Sequence, residues 1–248
     1  MTVAIGEFDV YETVSEDGVL VRNYIHVDAD RTDISELDRT PEIIDFYSAI
    51  YGDYPFDAYG VVVHDKQLWF ALETQTLTVF GDYWIEETVA AHELSHQWFG
   101  DCVSPARWQD IWLNEGFATY SQVLWEEYAY GETSAKGMLY SFYTNMATSS
   151  QSILIGDPGP DTLFAREVYD RGALTLHALR LRVGDEPFFE IVRTYFARYK
   201  NGNATTDDFI GVAEEISGEE LDEFFDAWLY QEKLPDIPEM NLYAEDFE

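Results

Sequence analysis

The stretch His92-Glu93-Leu94-Ser95-His96-Gln97-Trp98-Phe99-Gly100, followed by Asn114-Glu115-Gly116-Phe117-Ala118, decides how the rest of this chain is read. Residues 86–99 contain neither Pro nor Gly, lie between Gly81 and Gly100, and begin with two acids, Glu86 and Glu87. Acids in a first turn complement the helix dipole, so the segment is predicted to be a helix. His92 and His96 then sit one above the other on a single face, about 6 Å apart along the axis. An imidazole pair in that register binds one metal ion, each ring giving one nitrogen. Glu93 is rotated by about 100° from His92, off the ligand direction but within reach of a water beside the ion.

A hydrolytic zinc site needs three protein ligands and one open position. Glu115, nineteen residues after His96, supplies the third. It lies in the Pro-free run 110–125, also predicted to be helical. The Gly100 to Pro105 segment reverses the chain, so the two helices are expected to pack antiparallel with Glu115 facing the histidines. His92, His96 and Glu115 would thus hold one Zn2+, which lowers the pKa of a bound water to about 7. Glu93 would take the proton as that water attacks a carbonyl. A lone histidine on an apolar helix is usually structural. The reading rests on the joint pattern of two His, an intervening Glu and a further Glu on the next helix.

Composition narrows the partners. With 46% hydrophobic and 16% aromatic residues the chain has the material for a folded core. It carries 48 acids against 14 bases, a formal net charge of -34, and only four lysines, Lys66, Lys136, Lys200 and Lys233. The acids are spread along the chain, as on a solvated surface. Such a surface disfavours nucleic acid and anionic membranes, both of which recruit positive patches. It attracts cationic peptides and amino termini. A high-salt habitat is the simpler account of the acidity, because salt screens the self-repulsion. Cys102 is the sole cysteine, which excludes an intrachain disulfide. No apolar run reaches membrane-spanning length and no signal-peptide pattern opens the chain, so a soluble protein is expected; the compartment is left open, with cytoplasmic as the first expectation.

Alternation over Val3–Val14 and Val19–Val27, broken at Glu16-Asp17-Gly18, predicts two strands and a turn. A helix is expected after Thr40-Pro41, and strands over Tyr59–His64 and Ala71–Phe80. The remainder reads as helical over roughly 132–148, 162–183, 187–199, 205–216 and 219–230. The fold class is therefore α+β, a small N-terminal mixed β-sheet followed by a mainly helical C-terminal lobe.

These motifs together resemble the aminopeptidase N-like gluzincin metallopeptidases. The metal region is similar to that family's nearly word for word. Phe70-Ala71-Leu72-Glu73-Thr74 stands where the family carries Gly-Ala-Met-Glu-Asn. Val168-Tyr169-Asp170-Arg171-Gly172-Ala173 resembles its Tyr-x-Lys/Arg-Gly segment. The resemblance implies a thermolysin-like catalytic fold and a zinc-dependent aminopeptidase that hydrolyses the N-terminal bond of peptides with a free N-terminus. It implies that Glu73 binds the substrate α-amine by a charge-assisted hydrogen bond. Phe70, Ala71 and Leu72 would line the same substrate-binding segment. Tyr169 would donate its hydroxyl to the oxyanion formed at the attacked carbonyl. Phe70 and Thr74 replace the family's Gly and Asn, so side-chain preference does not carry over.

Family members normally have a β domain before this unit, and many have a helical domain after it. Residues 1–30 accordingly read as a β remnant of a preceding domain, 31–235 as the catalytic domain and 236–248 as a tail. The chain is either a dissected catalytic unit or a naturally minimal enzyme. In both cases an open cleft excludes water poorly, and slow, undiscriminating hydrolysis of small aminoacyl amides is expected. Two other readings compete: a metalloendopeptidase with an open cleft, and a catalytically weak or inactive module. The intact Glu93 argues against the last, since a purely structural zinc site has no use for a base.

Overall fold

The alternating residues at the start of the chain form an antiparallel hairpin, β1 (Phe8–Val14) and β2 (Leu20–His26), in the register Phe8↔His26 to Val14↔Leu20. Its turn is held by Asp45, whose carboxylate accepts the N–H groups of Glu16 at 2.8 Å and Asp17 at 3.1 Å. These observations come from a computed structural model that describes every residue except 1–2, 69, 82–84, 151–152 and 248. The chain divides into two compact units, Met1–Cys102 and Val103–Glu248. The class is α+β as expected, with a small mixed sheet near the N-terminus and a mostly helical remainder.

In the first unit β2 pairs in parallel with β3 (Ala58–Tyr59) and β4 (Val61–Val63), and β4 in parallel with β5 (Thr78–Phe80). The sheet order is β1-β2-β4-β5. Helix α1 (Thr40–Tyr51) starts with Pro41 in its first turn, where the missing N–H costs nothing. Helix α2 (Glu87–Ser95) carries the His-Glu-x-x-His motif. It is shorter than the predicted 86–99 because its last bonds tighten: Gln97 N–H reaches Leu94 O and Trp98 N–H reaches Ser95 O, three residues back. Trp98 anchors this end of the chain by donating to Gly52 O at 2.8 Å, and its ring meets Tyr47, Tyr51 and Tyr54 edge-on.

The predicted strand over Ala71–Phe80 shrinks to β5 with a single antiparallel bridge, Leu72↔Val79. Between them the chain turns back on itself. Leu77 N–H bonds Thr74 O at 2.9 Å, the Thr74 hydroxyl also donates to Leu77 O, and Thr76 takes a left-handed φ of 65°. The run read as a β candidate is thus interrupted, and the turn chemistry at its centre prevails.

The second unit is built on α3 (Trp112–Tyr130), α4 (Glu132–Ala147), α5 (Arg166–Val183), α6 (Asp185–Tyr199) and α7 (Thr206–Ser217). A short parallel pair, β6 (Val103–Pro105) and β7 (Gly202–Ala204), accompanies them. The predicted helix 219–230 divides into α8 (Asp222–Phe225) and a π turn over Asp226–Tyr230. Helix α7 opens with a capping box in which Thr205 and Asp208 bond each other's backbone N–H. The aromatic core of this unit joins Trp112, Phe117, Tyr195 and Phe209, with ring centroids 5.1–5.9 Å apart. Among the described residues no helix is long and apolar enough to cross a membrane.

Candidate metal centre

Helix α2 presents the histidine pair as its register requires. The two rings lie with centroids 4.8 Å apart and at 81° to each other. Both are buried, as is Glu93 between them in sequence. His96 falls just after the last helical residue but keeps a right-handed helical backbone, φ −58° and ψ −21°, so the i, i+4 relationship survives. Its Nδ1 lies 3.1 Å from Phe99 O. A backbone acceptor there fixes the tautomer with the proton on Nδ1 and leaves Nε2 as a metal donor.

Glu115 lies in the first turn of α3. That turn is secured by a buried network within the second unit. The Asp110 carboxylate accepts the N–H of Thr206 at 3.1 Å and its hydroxyl at 2.9 Å, and the Trp112 indole donates to the same hydroxyl at 3.0 Å. Arg107 pairs with Asp110 at 2.9 Å. The neighbouring Asn114 side chain donates to Glu115 Oε1 at 3.3 Å.

Ligand atoms of His92, His96 and Glu115 all lie within 4.8 Å of one another. Two imidazoles and one carboxylate are a donor set that zinc accepts. The burial supports the fit, since Glu115 is 4% exposed and Glu93 7%. Carboxylates so far from water are costly unless a cation compensates them.

The other sequence-predicted residues lie nearer the surface. Phe70 and Leu72 are exposed, while Ala71 and Glu73 are half-buried just ahead of the 74–77 turn. Tyr169 is the fourth residue of α5, half-buried between the buried Val168 and Asp170. Burial lifts the Asp170 carboxyl to about 6, opposed by the hydrogen bond from Asn145 and by Arg166.

Three features were not read from the sequence. Gln97 is fully buried, and its side chain bonds the backbone of the 73–76 segment and the Asp101 carboxylate. Burial pushes the Asp101 carboxyl up to about 7; His96 and the Gln97 hydrogen bond oppose this and nearby Glu73 adds to it. Arg171 sends its guanidinium to the carbonyls of Trp228, Ala227 and Gln231 at 2.7, 3.0 and 2.6 Å, and more loosely to Glu232 and Lys233. Its burial draws its pKa down to about 10. Gly116 and Gly172 meet where α3 crosses α5. A Cβ on Gly172 would come within 2.7 Å of Gly116 Cα, so only glycine allows this approach. The first signal was hidden in the Gln after the second His; the last lay in the Gly of two motifs already quoted.

The geometry defines a two-histidine, one-carboxylate centre of the kind that can hold zinc. The Peptidase family M1 domain matches residues 35–228, and the chain belongs to that family. It is 27% identical to aminopeptidase M1-D of Oryza sativa subsp. japonica over 96% of this chain and 30% of that protein. It is 35% identical to aminopeptidase N of Streptomyces lividans over 59% of this chain and 18% of that protein. The chain therefore spans less than a third of these curated relatives. The M1 zinc metallopeptidase from Deinococcus radiodurans superimposes with a TM-score of 0.85 at 30% identity, covering 94% of this chain and 53% of that one.

Proposed function

We propose that this chain is the catalytic part of a zinc aminopeptidase, acting on peptides with a free N-terminus. The observation that carries the reading is the buried His92, His96 and Glu115 cluster with Glu93 on the same helix, in a chain of family M1. Bound zinc supplies a Lewis acid and brings the pKa of water to about 7. Glu93 acts as general base toward the attacking water and returns the proton to the departing amine. Glu73 holds the substrate ammonium and so sets the scissile bond one residue from the N-terminus. The Tyr169 hydroxyl donates to the oxyanion that forms on the substrate carbonyl. A mutant of the Deinococcus radiodurans relative has been crystallised bound to a Tyr-Ser-Ala substrate, which supports a peptide in this role.

The test compares an aminoacyl-arylamide with its N-acetylated counterpart. A charge-assisted hydrogen bond to the amine predicts a preference for the free form of at least about tenfold. Equal rates, or cleavage at internal bonds of blocked peptides, would instead favour the open-cleft endopeptidase.

A further inference from the structure

Glu73 is positioned by a device outside the family motif that contains it. The Gln97 side chain reaches back from the end of α2 to the turn that follows Glu73. Its Oε1 accepts the N–H of Thr76 at 2.7 Å, and its Nε2 approaches the carbonyl of Glu73 itself at 3.5 Å. The same Nε2 donates to Asp101 Oδ2 at 2.8 Å, which holds the amide plane from its other side. The Leu72↔Val79 bridge fixes the residue before Glu73 through bonds of 3.0 and 2.9 Å. Glu73 is therefore held from both directions, by a strand bridge behind it and by Gln97 ahead of it.

Two further observations fit this account. Gln97 is 0% exposed, a position where an apolar side chain of equal size would avoid the desolvation of an amide. Thr76, the residue that Gln97 grips, has a left-handed φ of 65°. β-Branched residues avoid that conformation, and it persists only where neighbouring bonds impose it. Gln97 also directly follows His96, so the clamp joins the turn bearing Glu73 to the backbone bearing a metal ligand.

We infer that Gln97 is a positioning residue for substrate binding, which holds Glu73 in register with the metal ligands for the substrate's N-terminal ammonium. The inference rests on the aminopeptidase reading above. It acts through Glu73, so its loss raises KM for substrates with a free amine while the proton transfer by Glu93 continues.

The experiment uses Gln97→Met, which keeps the side-chain length but neither donates nor accepts at the clamp. Steady-state kinetics on leucyl-arylamide and N-acetyl-leucyl-arylamide are compared with the unaltered protein, alongside metal analysis. The expected result is full zinc content, KM raised about tenfold, kcat changed less than about threefold, and preference for the free amine reduced in proportion to KM. Gln97→Glu keeps an acceptor for the Thr76 N–H but turns a carboxylate oxygen toward Asp101 Oδ2 and the Glu73 carbonyl, so its KM should rise at least as far as in the Met variant. Unchanged KM and free-amine preference in the Met variant would overturn the assignment, as would a Glu variant with unchanged KM. Absence of zinc-dependent hydrolysis in the unaltered protein would instead defeat the aminopeptidase reading on which the assignment rests.

Discussion

In the first unit the segment bearing Glu73 is fixed by one strand bridge and the hydrogen bonds of one glutamine. In the second, Glu115 and Tyr169 ride on α3 and α5, long helices whose backbones touch at Gly116 and Gly172. The first arrangement is polar and local, so disturbing it displaces a turn without exposing much core. The second belongs to the hydrophobic interior, and a disturbance there is felt by the whole unit. On the function proposed above, substrate recognition would fall to the locally held segment, while Glu115 and Tyr169 sit on the two helices in close backbone contact.

The largest effect that could break this contrast lies at Arg171. Its guanidinium satisfies the carbonyls at the end of the π turn over Asp226–Tyr230 and tethers it to α5. Arg171→Met leaves those buried acceptors without a donor, and a loss of about 3–5 kcal/mol in unfolding free energy is expected by denaturant titration. Gln97→Met should lose only about 1 kcal/mol in the same assay. The contrast between the units fails if the two variants are equally destabilised.

A somewhat smaller effect concerns acid. His177 on α5 contacts the Tyr120 hydroxyl on α3 at 3.2 Å, and burial holds its pKa down from 6.5 to about 4. A folded-state pKa below the unfolded value means the histidine's contribution is complete above pH 6.5 and disappears as pH falls toward 4. Asp170 works in the opposite sense, because its raised pKa favours the folded state at low pH and that contribution fades as pH rises through about 6. Comparison with His177→Gln isolates the histidine. In metal-free samples the stability advantage of the unaltered protein over that variant should shrink by about 2–3 kcal/mol between pH 6.5 and 4. A constant difference across that range would mean that the α3–α5 contact does not titrate.

Much of the metal centre was legible because its residues lie at helical spacing, where sequence separation translates directly into a face. The i, i+4 histidines and the Glu one step round the helix needed no tertiary information, and the following helix with Glu115 was marked by its Pro-free run. The hairpin and most helices followed from alternation and breakers in the same way. What the sequence concealed depends on contacts between distant residues. Gln97 meets Thr76 and Glu73 across more than twenty positions, and Arg171 meets its carbonyls across more than fifty. Local propensity also misjudged 71–80, where the left-handed Thr76 divides an apparent strand.

The central claim is that the buried His92, His96 and Glu115 hold zinc while Glu93 serves as base without being a ligand. The most direct measurement is metal content together with aminoacyl-arylamide hydrolysis in the unaltered protein and in Glu93→Gln. The account predicts one zinc per chain in both, with the rate in the variant lower by about 10²–10⁴-fold. Absence of zinc from the unaltered protein, or equal rates in the two, would contradict it.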